Sequence, residues 1–234
     1  MKATSSPPLK FEAGRTAVSA LLIRPEPARA CYVFAHGAGA GMMHAFMEQA
    51  ATGLALRGIA SLRYQFPYME KGSKRPDPPA VAHACVRAAV AEAARACPGL
   101  PLIAGGKSFG GRMTSQAQAK APLTGVVGLA FFGFPLHAAG KSSADRADHL
   151  ADIRIPMLFL QGSNDKLAEL GLLKPVVEGL GTRARLHLVE GADHSFHVPA
   201  RSGRNDRGVM EDILDAFAAW STSIGAPHPA FSVP

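Results

Sequence analysis

The stretch Gly105-Gly106-Lys107-Ser108-Phe109-Gly110-Gly111 holds the residue types best suited to chemistry. Its centre, Gly106 to Gly110, reads G-x-S-x-G. An apolar run, Leu100-Pro101-Leu102-Ile103-Ala104, leads in, and a helix-forming segment, Arg112 to Lys120, leads out. Between a strand and a helix this pattern is a nucleophile elbow. The turn is so sharp that the serine takes strained backbone angles, and the residues two positions away can carry no side chain. Ser108 then projects above the sheet at the N-terminus of the following helix. There the Phe109 N–H and the positive helix end can receive an oxyanion. Glycine-rich turns with a spectator serine share the bare pattern, so the reading depends on partners elsewhere in the chain.

A serine hydroxyl is barely ionised at neutral pH and needs a base within hydrogen-bond reach. Imidazole is the usual base, and His194 is the candidate. A carboxylate must hold that ring in one tautomer and stabilise the imidazolium that forms, and Asp165 is the candidate. The substrate carbonyl gains charge and needs two preset N–H donors. Phe109 supplies one, and Ala38, in the run His36-Gly37-Ala38-Gly39, supplies the other. Substrate contacts of lower weight are His36, Gly37, Lys107, Arg63 and His197. Each member also has a plain reading. Asp165 sits in turn chemistry, Gly162-Ser163-Asn164-Asp165. His197 and His187 compete with His194, with His187 taken as structural. His36 reads better as a loop brace than as a second base. Lys107, Arg63 and Arg112 read as solvated or locally paired cations somewhat better than as an anion-steering set.

The elements that must position these residues follow from the chain. It has 234 residues, enough for one α/β domain. Residues 1–8 read as a disordered tail, 9–225 as a single domain and 226–234 as a C-terminal tail. Phe11 to Pro25 reads as one or two antiparallel strands. Cys31 to Ala35 is a short continuous apolar run, as in a parallel strand covered on both faces. A helix is expected from about Met43 to Arg57, and a strand over Ile59 to Tyr64. Gln65 to Pro79 reads as a proline-containing loop, and Pro79 to Cys97 as an alanine-rich helix. The elbow strand, Leu100 to Lys107, comes next. Gly125 to Phe132 is another strand, followed by a short helix around Ala144 to Leu150. Met157 to Leu160 is a strand. A broken helix then restarts at Pro175, a residue suited to a first helical position. Arg185 to Glu190 alternates as a half-exposed edge strand does. The last helix, about Asp206 to Ser223, sets Val209, Ile213, Phe217 and Trp220 on one buried face. Strands alternating with helices imply a doubly wound, mostly parallel sheet. On such sheets the site lies outside the carboxyl ends of the strands, where all four polar loops fall.

Composition narrows the function classes. A charge of +7 is a mild excess, and it is spread without any run of five or six like charges. A solvated basic surface therefore outweighs nucleic-acid binding. Cys31, Cys85 and Cys97 have no disulfide-framework or metal-ligand spacing, which points to a reducing compartment. The polar N-terminus lacks the apolar core of a signal peptide, and no run approaches a membrane span. These features read as a soluble cytoplasmic protein with no nucleic-acid or membrane partner, and they leave a homodimer open.

The motifs together resemble a known family. They are Ala35-His36-Gly37-Ala38-Gly39, Arg63-Tyr64-Gln65-Phe66-Pro67-Tyr68-Met69, Gly105 to Arg112, Gly133-Phe134-Pro135-Leu136-His137, Gln161-Gly162 with Asp165, and Gly191-Ala192-Asp193-His194-Ser195-Phe196. From about Ala30 to the last helix the chain is similar to α/β-hydrolases of the dienelactone-hydrolase-like branch. Within that branch it resembles small hydrolases grouped with a human testis-expressed hydrolase-like protein and a chromatin-complex subunit. The resemblance implies the α/β-hydrolase fold and the triad Ser108, Asp165, His194. Dienelactone hydrolases proper carry a cysteine where this chain has Ser108. The chain order Ser, Asp, His agrees. The leading expectation is a serine hydrolase of a small ester or thioester, needing no metal or organic cofactor. Its rivals are a non-catalytic interaction domain and a small-amide or peptide hydrolase. About twenty residues separate the strands ending at Phe132 and starting at Met157, too few for an independent cap, so no large lid is expected.

Overall fold

The computed structural model describes residues 3–5 and 8–225. Its strands are β1 (Ala3–Ser5), β2 (Leu9–Ala13), β3 (Thr16–Pro25), β4 (Ala30–Ala35), β5 (Ile59–Tyr64), β6 (Leu102–Lys107), β7 (Val126–Phe132), β8 (Met157–Gly162) and β9 (Ala184–Val189). The helices are α1 (Ala45–Leu56), α2 (Pro67–Glu70), α3 (Pro79–Ala96), α4 (Phe109–Lys120), α5 (Leu170–Gly179) and α6 (Asp206–Gly225). All strands join one sheet in the order β1-β3-β5-β4-β6-β7-β8-β9, with β2 also paired to β3. β3 runs antiparallel to its neighbours, and every pair from β5 to β9 is parallel. This is the doubly wound, mostly parallel sheet of the α/β-hydrolase fold, as the alternating apolar runs require.

The central strands are buried along their length because helices cover both faces. Alternation along each strand divides the core in two. In β4, Cys31, Val33 and Ala35 face the layer that holds α3, α4 and α5. Ala30, Tyr32 and Phe34 face α1 and α6 on the other side. Val209, Ile213, Phe217 and Trp220 are all buried in that second layer, as their helical spacing predicts. The three cysteines are free and buried.

Four sequence expectations differ from the structure. Within the segment read as a disordered tail, Ala3–Ser5 pair with Ile23–Pro25, because β3 is long enough to seat both β1 and β2 along one edge. The loop after β5 holds α2, with Pro67 in its first turn, where a missing N–H costs no hydrogen bond. Pro175 lies inside α5 rather than starting a helix. Leu173 and Val177 are one turn apart and both buried, so the apolar face spans the proline. Finally, α4 begins at Phe109, immediately after the elbow, rather than at Arg112. The expected tail over 226–234 lies outside the described residues.

Candidate active site

Parallel pairing from β4 to β9 brings the carboxyl ends of these strands to one edge of the sheet. His36 follows β4, Ser108 follows β6, Asp165 lies beyond β8 and His194 beyond β9. Ser108 has φ of 49° and ψ of −113°, a strained conformation for a residue with a side chain. Crowding explains the flanking glycines. A Cβ on Gly106 would stand 2.4 Å from the Ala35 carbonyl oxygen, and one on Gly110 would stand 2.5 Å from that of His36. The elbow therefore closes only against a bare backbone, and β4 is what it closes on.

Ser108 Oγ lies 2.8 Å from His194 Nε2, and His194 Nδ1 lies 2.6 Å from Asp165 Oδ2. With Nδ1–H donating to the carboxylate, Nε2 accepts from the serine hydroxyl. Asp165 is 2% exposed, so its charge acts with little screening. Its carboxylate also accepts from the Leu167 N–H at 2.8 Å and from the Gln161 side-chain amide. Gln161 is fully buried and accepts from the Phe134 N–H at 2.8 Å, which ties the ends of β7 and β8 together. Asp193 has a different task. Its Oδ1 accepts from the N–H groups of Ser195 and His197 at 2.8 and 3.0 Å, closing the loop that carries His194.

Ser108, His194, Ala38, Gly37 and Lys107 line one pocket of about 310 Å³, together with residues of α1 such as Phe46 and Met47. Phe109 opens α4, so its N–H is one of the free first-turn donors of that helix. Among the described residues the Ala38 N–H has no backbone acceptor. The strand β5 and the loop after it hold the Ala38 loop in place. Tyr68 O–H donates to the Ala38 carbonyl at 2.9 Å, and Gln65 Oε1 accepts from the Met42 N–H at 2.9 Å.

Three residues expected to touch substrate stand outside the pocket. His36 is fully buried. It bonds the Gly37 carbonyl through Nδ1 at 2.7 Å and accepts from the Phe66 N–H through Nε2 at 3.0 Å. One nitrogen donates and the other accepts, so the ring is neutral, and burial pushes its pKa down to about 4. It braces two loops and is no second base. Arg63 is 5% exposed and donates to the Met42 carbonyl at 3.2 Å, a buried strut for the Ala38 loop. His197 is turned to solvent and paired with Asp206 at 2.9 Å. His187 pairs with Asp212 at 3.0 Å on the sheet edge. Gln65, Tyr68 and Gln161 lie in the motifs quoted from the sequence, which gave them no role. Their signal is a polar group in or just after a strand that is otherwise apolar.

A doubly wound sheet with an elbow serine and a histidine–carboxylate pair at its carboxyl edge defines a class of protein. The chain belongs to the α/β-hydrolase family: the profile described as Alpha/beta hydrolase domain matches residues 28–222. Solved structures share the fold at low identity. A dienelactone hydrolase from Anabaena variabilis superposes with a TM-score of 0.76 at 18% identity, over 95% of this chain and 99% of the other. An α/β serine hydrolase without lid from Xanthomonas campestris gives 0.72 at 19%, over 92% and 94%. An esterase domain from a Rhodothermus marinus protein gives 0.72 at 15%, over 97% and 100%. Among the described residues no helix is long and apolar enough to cross a membrane.

Proposed function

We propose that this protein is a serine hydrolase that cleaves a small ester or thioester through an acyl-enzyme on Ser108. The observation that carries the reading is the relay from Ser108 through His194 to Asp165, at 2.8 and 2.6 Å, beginning at a positive-φ elbow. Ser108 Oγ attacks the substrate carbonyl while His194 Nε2 takes its proton. Asp165 keeps Nδ1 protonated and stabilises the imidazolium. The carbonyl oxygen, now negative, is received by the N–H groups of Phe109 and Ala38. His194 returns the proton to the leaving alcohol or thiol. A water activated by the same ring then releases the acyl group. Membership of the α/β-hydrolase family supports this reading, and so does the likeness to proteins described as esterases and serine hydrolases.

The test is covalent labelling. A fluorophosphonate probe is expected to label the wild type and not Ser108→Ala. The variant should lose ester turnover by about 10⁴–10⁶-fold. A probe that still labels the variant, or turnover left intact, rejects the assignment.

A further inference from the structure

Lys107 precedes the nucleophile, yet the reaction just described gives it no part. Its stem runs past Gly37, where a Cβ would stand 3.7 Å from Lys107 Cγ. Its ammonium ends beside two aromatic rings, 5.6 Å from the Phe46 centroid and 5.4 Å from that of Phe196. Those rings stack on each other at 5.9 Å and 10°. Nζ donates to the backbone carbonyl of His194. Gly133 leaves the room: a Cβ there would stand 2.9 Å from Nζ, 3.3 Å from the His194 oxygen and 3.4 Å from His194 Cε1. The ammonium and the edge of the imidazole thus share one small cleft. Among the described residues no carboxylate pairs with Lys107, and no other side chain donates to the His194 carbonyl.

Resting on the reading of Ser108 and His194 above, we propose that Lys107 is a positioning residue for the base. Its charged donor clamps the His194 backbone to the end of the elbow strand and so fixes the ring relative to Ser108. The ends of the loop are tied to its neighbours, through the Asn164 N–H on the Ala192 carbonyl at 2.8 Å and the Val198 N–H on Asp206 Oδ1 at 3.0 Å. Its middle closes on itself, through the Asp193 N–H on the His197 carbonyl at 2.9 Å and the Phe196 N–H on the Asp193 carbonyl at 3.0 Å, and there the His194 carbonyl is held by Lys107. Phe196 holds a φ of 67°, unusual for a residue with a side chain. A cation buried in this cleft is also expensive, since an apolar side chain would fill the same space without losing hydration.

Burial lowers the Lys107 pKa from 10.5 to about 8, against the upward pull of Asp165 and Asp193, the charged groups that face it beside His194 itself. The sign for stability follows. With the folded value below the unfolded one, the ammonium costs stability in full below about pH 8. That cost fades as pH rises towards 10.5. Lys107→Met should therefore melt no lower than the wild type at pH 7, which separates loss of function from unfolding. The sign for activity is opposite. Above about pH 8 the charge-assisted bond becomes a weaker neutral one.

Two readouts test the clamp in Lys107→Met and Lys107→Arg. Amide hydrogen exchange is independent of catalysis. In the Met variant the Asp193 and Phe196 amides should exchange about tenfold faster or more, and unchanged exchange overturns the proposal whether or not the protein hydrolyses esters. The second readout is turnover of a neutral ester from pH 6 to 9.5. The Met variant should lose about 10²-fold in kcat with KM little changed, as expected for a displaced base. Wild-type kcat should decline through about pH 8, while the Arg variant, charged throughout, should hold its kcat beyond that point. A loss confined to KM, and to substrates bearing a carboxylate, would make Lys107 a substrate contact and overturn the clamp. Absence of fluorophosphonate labelling at Ser108 would instead reject the hydrolase reading, leaving exchange to decide the clamp.

Discussion

Asp165 and Asp193 show what can be read from single residues and what cannot. Both flank His194 in the folded chain, and one is its neighbour in sequence. Adjacent side chains in an extended loop point apart, which favours Asp165 on sequence grounds alone. The geometry agrees: Asp165 Oδ2 stands 2.6 Å from His194 Nδ1, and Asp193 spends its Oδ1 on two loop N–H groups. Asp165→Asn is therefore expected to lower kcat by about 10⁴, because an amide favours the wrong tautomer. Asp193→Asn should cost only about tenfold, through loop order. kcat of both folded variants on one activated ester checks this, and a crippled Asp193→Asn would reverse the assignment. Ser108, His194 and Asp165 could be grouped from the sequence, and they lie within hydrogen-bond distance of one another, because the proposed chemistry allows few residue types at strand ends. For Arg63 and His36 the sequence left a substrate contact and a structural role side by side, and the structure buries both outside the pocket. A buried strut and a pocket cation have the same sequence signature, and only the Met42 carbonyl over Arg63 separates them. Gln161 was invisible in its role because its partners, Phe134 and Asp165, come from two different strand ends.

At the scale of elements, the elbow is a contact between two strands as much as a turn. Gly106 faces the Ala35 carbonyl across the β4–β6 pair, so its missing side chain sets how closely the strand leading to Ser108 approaches the loop that carries Ala38. Gly106→Ala should force that backbone apart and cost about 3 kcal/mol of stability. For a domain of this size that is a fall of about 10 °C in melting temperature. Gly39 has nothing within 4 Å of where its Cβ would be, so Gly39→Ala should stay within about 0.5 kcal/mol of the wild type. Calorimetry of the pair checks the contrast, and equal effects would refute the crowding argument. Central elements were readable because burial on both faces imposes continuous apolar runs, as in Cys31 to Ala35 and Met157 to Leu160. The misread elements lie where local preference competes with packing. Pro175 has the preference of a helix start, yet Leu173 and Val177 carry the helix through it.

For the whole molecule, substrate size depends on what the fold leaves uncovered. The connection from Phe132 to Met157 could have roofed the site. Instead its 3₁₀ segment, Asp145–Asp152, packs down on α4: Leu150 is fully buried and His149 Nε2 lies 2.7 Å from Ser115 Oγ. The walls around Ser108 are then the Ala38 loop, the start of α1 and the His194 loop, enclosing about 310 Å³. That volume sits at the small end of ligand pockets. Esters with acyl chains of about two to four carbons should therefore give the highest kcat/KM, because a longer chain gains little further burial inside. With no flap to displace, activity should rise smoothly with substrate concentration and show no jump where the ester forms an oil phase. A second, larger hollow of about 630 Å³ lies between α1 and α6 and shares Phe46 and Ser195 with the first. It gives the contrary outcome a definite structural meaning. Were kcat/KM to climb steadily to eight carbons or more, the acyl chain would have to pass over Phe46 into that hollow, and a bulky Met210→Trp would abolish the gain. A series of p-nitrophenyl esters of graded length, assayed with the wild type and with this variant, decides between a small separate pocket and a continuous groove.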